Sequence, residues 1–548
     1  MADDGDRDGR RGVDLQPTVG PAPAGLAHIR EQGSLPIERN RCGFGRSIHA
    51  PFRAVRTVDE DMTLCGAARF YCRLQHPRGE RRMAGASIAQ GDPSMSDMQL
   101  RTMVKSWPMS PFQIGIIAIC TLITALDGFD VLVVAFTSST LTREWGLGPA
   151  VVGMMLSAGL VGMGLGALLM SPIGDWMGRR RAILLCLLIM TIGMLMAGRS
   201  NGPYELALWR VFTGLGIGAC LSNGNIVCSE FSSAGSRDIT NSFYAAGYQM
   251  GAMFGGVIAI AIMRSFSWRE VFDFGALVGL VLIVLTYVAL PESLDFLQLR
   301  RPADALRQVN RTLRRMGRKE LDTLPPYVSP GASGTKPKLS SLFKEGRAGP
   351  TVAACAAYLL MMMSLYFFVS WSPRIITQMG LGQENGILSV VLMNTAGAVA
   401  CFVFGGIAKF VGARRLAIVV MLGFAVAGIW FGVAPASVTA MLTAATIVGY
   451  FLASSVTAMY GVTPYVFPLA IRTTGVGLAM SFGRLGAALG PYLAGLLMAG
   501  GAERWQYCLA MAVPVGAAGL ALYFAVPIAE DAPEPKPDVA AATETRHA

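Results

Sequence analysis

The chain has 548 residues, of which 53% are hydrophobic and only 15% charged, and its mean hydropathy is +0.48. Soluble domains carry about 25% charged residues, so this composition excludes an ordinary soluble protein and indicates several membrane spans. The net charge of +11 does not favour nucleic-acid binding, because the basic residues lie in short loops between apolar segments. The cysteines beyond residue 100 occur singly, without zinc or disulfide spacing, so we expect neither a metal nor another cofactor.

The first 94 residues are rich in Arg, Gly, Asp and Pro and contain no apolar stretch long enough for a cleavable signal peptide. We expect residues 1–105 to be a disordered extension and residues 529–548 a disordered tail. Met95 and Met98 stand just before the first membrane segment. The extension is therefore interpreted either as a dispensable tail or upstream start, or as a regulatory tail.

Twelve apolar runs, each about as long as a bilayer-spanning helix, follow the extension. Their predicted boundaries are 112–141, 150–173, 182–198, 204–228, 239–263, 270–290, 351–376, 387–407, 416–434, 437–462, 473–499 and 505–527. The sequence thus predicts an all-α membrane protein in which twelve transmembrane helices form two six-helix bundles, residues 106–290 and 348–528. A polar loop at 291–347 joins the bundles, which is a pattern typical of transporters.

The first span contains two carboxylates, Asp127 and Asp130, three residues apart and on nearly the same helix face. Asp127 lies roughly 22 Å along the helix, near the middle of the membrane, where a carboxylate costs about 3 kcal/mol. All four histidines fall outside the spans, so a proton carrier within the membrane must be a carboxylate. Two nearby carboxylates resist simultaneous ionisation, and we predict that this pair couples transport to protons.

The other ionisable residues deep inside spans are Arg210 in span 4 and Arg484 in span 11. A guanidinium near the midplane suits bidentate recognition of a carboxylate, so Arg484 is predicted to anchor a substrate anion or to form an internal salt bridge. Arg210 is predicted to contribute to substrate binding, proton relay or helix packing. If both acids are ionised against these arginines, protons travel elsewhere, through Glu230 or Asp175.

Several aromatic and amide side chains inside the spans could line a cavity for a planar ring. The predicted lining residues are Asn223, Tyr248, Trp371 and Asn394, with Tyr244, Gln249, Tyr366 and Tyr460 as further candidates. Packing in the core or against lipid is the competing interpretation for each of them. Trp371 also fits the aromatic belt at a membrane interface.

Basic residues collect on one side of the predicted membrane, at 179–181 after span 2, at Lys409 and 414–415 after span 8, and in the central loop. The positive-inside rule predicts that this side and both termini are cytoplasmic, in the inner membrane. Within the central loop, apolar residues at spacings of three and four between 306 and 316 predict a basic amphipathic helix. We expect it to lie on the inner leaflet or to be a solvated connector.

The loop after span 2, residues 173–180, is echoed about 234 residues later by residues 407–414 after span 8. Corresponding loops in two halves indicate repeated bundles. We predict that these loops control the change of conformation. The predicted gating residues are Asp175, Gly178, Arg179, Arg180, Gly412 and Arg414.

These residues resemble the major facilitator superfamily over about 106–527. The run from Asp175 to Arg180 is similar to the superfamily's loop between helices 2 and 3, and the run from Arg210 to Gly218 is similar to its helix 4 pattern. The D-G-[FY]-D pattern in span 1, Glu230-Phe231 after span 4 and the phrase 471–491 around Arg484 resemble the aromatic acid:proton symporter family.

The resemblance implies a monomeric carrier, not an enzyme, that imports an aromatic carboxylate such as a hydroxybenzoate with protons by alternating access across a lipid bilayer. Ala252 stands where the antiporter pattern has Pro, which favours symport. The alternative is a carrier for another solute, such as a sugar or an aliphatic or dicarboxylic acid, because Leu290-Pro291-Glu292-Ser293 also occurs in sugar porters. A receptor or an enzyme is disfavoured, because the sequence contains no nucleotide-binding motif, metal cluster or nucleophile constellation.

Overall fold

Twelve helices in the described part of the chain are long and apolar enough to cross a membrane, which confirms the predicted number and order of spans. The computed structural model describes residues 100–325, 339–344, 346–468 and 471–525. The predicted disorder of residues 1–99 and 529–548 and the two candidate start methionines lie outside these residues. Residues 100–105, also predicted to be disordered, instead belong to a short helix, Leu100–Ser106, because Leu100 and Val104 are buried against the protein. The helices are α1 Pro111–Trp145, α2 Pro149–Leu169, α3 Arg179–Gly198, α4 Pro203–Phe231, α5 Arg237–Ser265, α6 Arg269–Ala289, α7 Ala348–Gln378, α8 Gln383–Val411, α9 Ala413–Val433, α10 Val438–Val462, α11 Arg472–Ala499 and α12 Arg504–Ala525.

The helices pack in the same way in each half of the chain. In the first half α1 packs on α5, α2 on α4 and α3 on α6, and in the second half α7 packs on α11, α8 on α10 and α9 on α12. The halves meet along α2 with α11, α5 with α8 and α1 with α7. The packing thus repeats with an offset of six helices, as the repeated loops predict.

Glycines bring α1 and α5 into backbone contact. A Cβ atom on Gly251 would lie 1.8 Å from the carbonyl oxygen of Ala125, and one on Gly128 would lie 2.1 Å from that of Tyr248. Small residues of this kind let transmembrane helices approach closely. Gly128, between the two aspartates, therefore fixes how α1 sits against α5.

Short helices cover the end of the first half that carries the loop between α2 and α3. We call this end of the protein the loop 2–3 end. They are Leu100–Ser106, Leu294–Arg300 and Ala305–Arg315. The last is the predicted amphipathic helix, but Val309 and Leu313 are fully buried within the protein. Arg315 and Arg318 stack over Phe112 and Trp107 at 5.6 and 4.9 Å. The apolar face is thus covered by protein, which corrects its expected position on a lipid leaflet.

The two halves touch directly at the other end, which we call the opposite end. A Cβ atom on Gly495 of α11 would lie 2.7 Å from the carbonyl oxygen of Pro149 at the start of α2. Arg264 of α5 forms two hydrogen bonds to Glu384 of α8, at 2.8 and 2.7 Å. Thr140 of α1 donates to Gln383 at 3.0 Å. These contacts join the two halves at the opposite end.

Candidate functional site

Asp130 of α1 and Arg210 of α4 form a buried ion pair. Arg210 Nη1 bonds to Asp130 Oδ1, and Arg210 Nη2 donates to the backbone oxygen of Asp130 at 2.6 Å. The two residues are 0% and 2% exposed. Gly159 of α2 makes room for the guanidinium, because a Cβ atom there would lie 3.2 Å from Arg210 Nη2. The charge of Asp130 is therefore balanced within the first half.

Asp127 lies one turn before Asp130 in a different environment. It is also fully buried, but neither carboxylate oxygen has a hydrogen-bond partner among the described residues. The carboxylate lies close enough to Asp130, Tyr244 and Tyr248 to interact with them electrostatically. The structure thus gives the two acids of the predicted pair unequal partners, one with an arginine and one without.

Arg484 of α11 lies among tyrosines contributed by both halves of the protein. It interacts electrostatically with Tyr366 of α7 and Tyr460 of α10, and the hydroxyl of Tyr366 is close to that of Tyr248 of α5. Tyr460 is 49% exposed, although it lies inside a spanning helix. In the described part of the chain no carboxylate forms an ion pair with Arg484, in contrast to Arg210. The arrangement presents a cation and aromatic rings at mid-depth between the halves.

Three other predicted binding residues have hydrogen-bond partners within the protein. Trp371 is fully buried, and its Nε1 donates to the carbonyl oxygen of Pro491 at 3.0 Å. Asn223 lies against Gly174 at the loop 2–3 end, with its Nδ2 bonded to Ala219 O at 2.9 Å. Asn394 is half-buried in α8, where its Nδ2 donates to the carbonyl oxygen of Val390 at 2.9 Å.

Glu230 belongs to a charge cluster at the loop 2–3 end. Arg179 pairs with Asp175 at 2.8 Å and lies 3.5 Å from the carboxylate of Glu230, which is 3% exposed. Glu230 follows Arg210 by 20 residues in α4, or about 30 Å along the helix. The structure therefore groups Glu230 and Asp175 with the predicted gating residues and far from Asp127.

The start of α3 is capped by a carboxylate that sequence reasoning missed. Glu292, from the phrase after α6, accepts from the backbone N–H of Arg180 at 3.1 Å. Gly178 has φ +99°, and a Cβ atom there would lie 2.4 Å from Glu292 Oε2, so both the backbone and the cap require glycine. An acid at a helix N-terminus stabilises the free N–H groups there. The cap thus joins the α2–α3 loop to the end of α6.

The corner between the start of α3 and the end of α6 has a counterpart in the other half, between the start of α9 and the end of α12. Arg180 bonds to Tyr287 O and stacks over that ring at 5.4 Å, and Arg414 bonds to Tyr523 O and stacks over its ring at 4.3 Å. Gly412, at the start of α9, has φ +87°. The spacing of Tyr287 and Tyr523, which is 236 residues, was a signal in the sequence that could have extended the predicted repeat.

This fold and its repeated corners define a two-bundle membrane transporter. Residues 117–409 and 393–547 match the family model described as the Major Facilitator Superfamily. The chain belongs to the Major Facilitator Superfamily.

Similar proteins of this superfamily include named carriers of aromatic acids. A gallate transporter of Pseudomonas putida is 28% identical over 427 residues, which cover 76% of this chain and 94% of that protein. The 4-hydroxybenzoate transporter PcaK of Pseudomonas aeruginosa is 25% identical, and the coverage is 78% and 96%. The 3-(3-hydroxy-phenyl)propionate transporter of Escherichia coli is 25% identical, with 74% and 92% covered.

Solved structures with the same fold include xylose carriers. A crystal structure of a D-xylose-proton symporter matches with a TM-score of 0.59 at 18% identity, covering 76% of this chain and 98% of that one. An inward open conformation of the xylose transporter XylE from E. coli matches with a TM-score of 0.58 at 17% identity, covering 76% of this chain and 96% of that one. At this identity the likeness shows the fold alone.

The ion pair between Asp130 and Arg210 yields a prediction for stability. Asp130→Asn or Arg210→Gln leaves a buried partner without its counter-charge, which costs about 3 to 5 kcal/mol. We expect the double variant to be destabilised by less than the sum of the single variants, measured as thermal unfolding midpoints of the purified protein. The same cycle at the exposed pair of Arg264 and Glu384 is the control, with effects below about 1 kcal/mol. Additive or small effects at Asp130 and Arg210 would contradict the assignment.

Proposed function

We propose that this protein is a proton-coupled symporter that imports an aromatic carboxylic acid, such as a hydroxybenzoate, across the inner membrane by alternating access. The observation that carries the proposal is the position of Arg484, which has no ion-pair partner among the described residues, between tyrosines of the two halves. The names of the relatives, carriers of gallate and 4-hydroxybenzoate, agree with this chemistry.

The residues around Arg484 suit a flat anion better than a sugar. A guanidinium binds a carboxylate through two parallel hydrogen bonds, and tyrosine rings offer flat apolar surfaces with hydroxyl groups at their edges. A sugar has no charge that would neutralise Arg484 in a site of low dielectric constant. We therefore assign the carboxylate to Arg484, and the ring and its hydroxyl groups to Tyr248, Tyr366 and Tyr460.

We assign proton coupling to Asp127. Asp130 already has a counter-charge in Arg210, whereas Asp127 is buried with no hydrogen-bond partner among the described residues. An uncompensated carboxylate in such a place is accommodated at lowest cost as the neutral acid. Asp127 then carries the proton, and Asp130 with Arg210 holds a fixed ion pair beside it. The sequence assigned this role to both acids, with Glu230 as a third group.

The two ends of the protein would open in turn. The Arg264–Glu384 bridge and the contact of α2 with α11 close the opposite end, and they must separate to admit substrate there. At the loop 2–3 end, Asp175, Arg179 and Glu230 form the charge cluster that holds helices together within the first half. The distribution of basic residues supports a cytoplasmic position for the loop 2–3 end and both termini, so substrate enters from the opposite end.

Uptake of labelled 4-hydroxybenzoate tests the proposed function. Cells that express the protein should accumulate the label above the level of cells with empty vector, and an uncoupler should abolish accumulation. Unlabelled benzoates should compete, whereas glucose and a short dicarboxylate should not. Uptake of glucose instead, or accumulation that survives the uncoupler, would contradict aromatic-acid symport.

Arg484→Lys tests the proposed anchor. Lysine keeps the charge but loses the planar fork, so we expect the KM for 4-hydroxybenzoate to rise about tenfold, corresponding to roughly one charge-assisted hydrogen bond. Arg269→Lys is the matched control, because Arg269 is a partly exposed residue at the opposite end that pairs with Glu144 at 2.9 Å. An unchanged KM in Arg484→Lys, with normal protein levels in the membrane, would exclude Arg484 as the carboxylate anchor.

A further inference from the structure

Arg374 of α7 is a buried arginine whose role the site described above does not explain. It is 3% exposed, and its Nε and Nη1 atoms are buried without a hydrogen-bond partner among the described residues. No carboxylate in the described part of the chain forms an ion pair with it. Arg374 falls inside the predicted span 351–376, and α7, which continues to Gln378, places it within the helix.

Arg504, at the same end of the protein, is an example of an arginine whose guanidinium donors are satisfied by backbone carbonyl groups. Arg504 of α12 donates to the carbonyl oxygen of Gly432 at 2.8 Å and to that of Ala434 at 2.5 Å. Arg374 instead has a stacking contact with Trp371, at 5.4 Å from the ring centre. A cation–π contact leaves the in-plane N–H donors free, because these point along the plane of the guanidinium. The free donors of Arg374 are therefore available for an anion.

The stacking partner of Arg374 lies next to a contact between the two halves at the opposite end. Trp371, its stacking partner, reaches within 3.3 Å of the Cβ position of Gly495, and Gly495 in turn touches α2 of the first half. Along α7, Arg374 follows Tyr366 by eight residues, or about 12 Å towards the opposite end. A ligand that enters from that end would reach Arg374 before it reaches Tyr366 and Arg484.

We propose that Arg374 is an anion-binding residue of the state open at the opposite end, where it binds the carboxylate of the incoming aromatic acid before the acid moves to Arg484. The inference rests on the proposed function and adds a second anion subsite to it. It accounts for a buried guanidinium with free donors, which a structural role would have satisfied. It also predicts that the two faces of the carrier differ, because Arg374 binds substrate only when the opposite end is open.

Transport measured from each face tests the inference. Labelled 4-hydroxybenzoate is offered to right-side-out and to inside-out membrane vesicles that contain the full-length protein. With Arg374→Gln, the KM at the opposite-end face should rise about tenfold, as expected when a charged hydrogen bond is lost. The KM at the loop 2–3 face should stay within twofold. Arg374→Lys, which keeps the charge, should raise the opposite-end KM by about threefold.

Arg269→Gln is the control, because it removes a positive charge at the same end without touching the proposed subsite, and both of its KM values should stay within twofold. The thermal midpoint of Arg374→Gln should equal or exceed that of the wild type, because a buried charge without a partner is removed. A lower midpoint with unchanged KM values would make Arg374 a structural residue and overturn the inference. Equal KM changes at both faces would also overturn it.

The outcome for the wild type separates this inference from the proposed function. If wild-type vesicles carry no aromatic acid, the proposed function is wrong and the inference falls with it. If the wild type transports 4-hydroxybenzoate and Arg374→Gln keeps its opposite-end KM within twofold, only the inference is wrong.

Discussion

The buried ion pair of Asp130 and Arg210 is the constraint on which the rest of the site depends. It joins α1 to α4 and occupies Arg210, so that Asp127, one turn away, has no hydrogen-bond or ion-pair partner among the described residues. If the two acids had equivalent surroundings, a shared proton could not be assigned to either of them. Because their partners differ, one acid can hold the proton while the other stays in the ion pair. The other deep arginine, Arg484, then stays free for a substrate carboxylate. The roles that we assign to Asp127, Asp130, Arg210 and Arg484 thus depend on the ion pair between Asp130 and Arg210.

The two halves share a backbone design but differ in their charges. The corner of Arg180 with Tyr287 and the corner of Arg414 with Tyr523 are equivalent, and both follow a glycine with positive φ. Lys409 stands in the sequence where the first half has Asp175, so the second loop has no acid at the corresponding position. The bridge of Arg264 and Glu384 joins the two halves at the opposite end.

The sequence predicted the twelve spans because long apolar runs leave few alternatives to transmembrane helices. It placed their ends less well, since helices continue past the apolar run wherever polar residues find partners. Glu144, in the last turn of α1, accepts from Trp268 Nε1 at 2.6 Å. The partner of Arg210, the packing of Trp371 and the position of Asn223 depend on how helices rotate against each other, which residue spacing does not determine.

The central claim, that Asp127 carries the proton while Asp130 serves the ion pair, is tested most directly by separating exchange from accumulation in Asp127→Asn. Asparagine mimics the neutral acid, so the variant should exchange labelled for unlabelled 4-hydroxybenzoate across proteoliposome membranes at close to the wild-type rate. It should not accumulate the label when a proton gradient is imposed. Proton-driven accumulation by Asp127→Asn at the wild-type level would contradict the account.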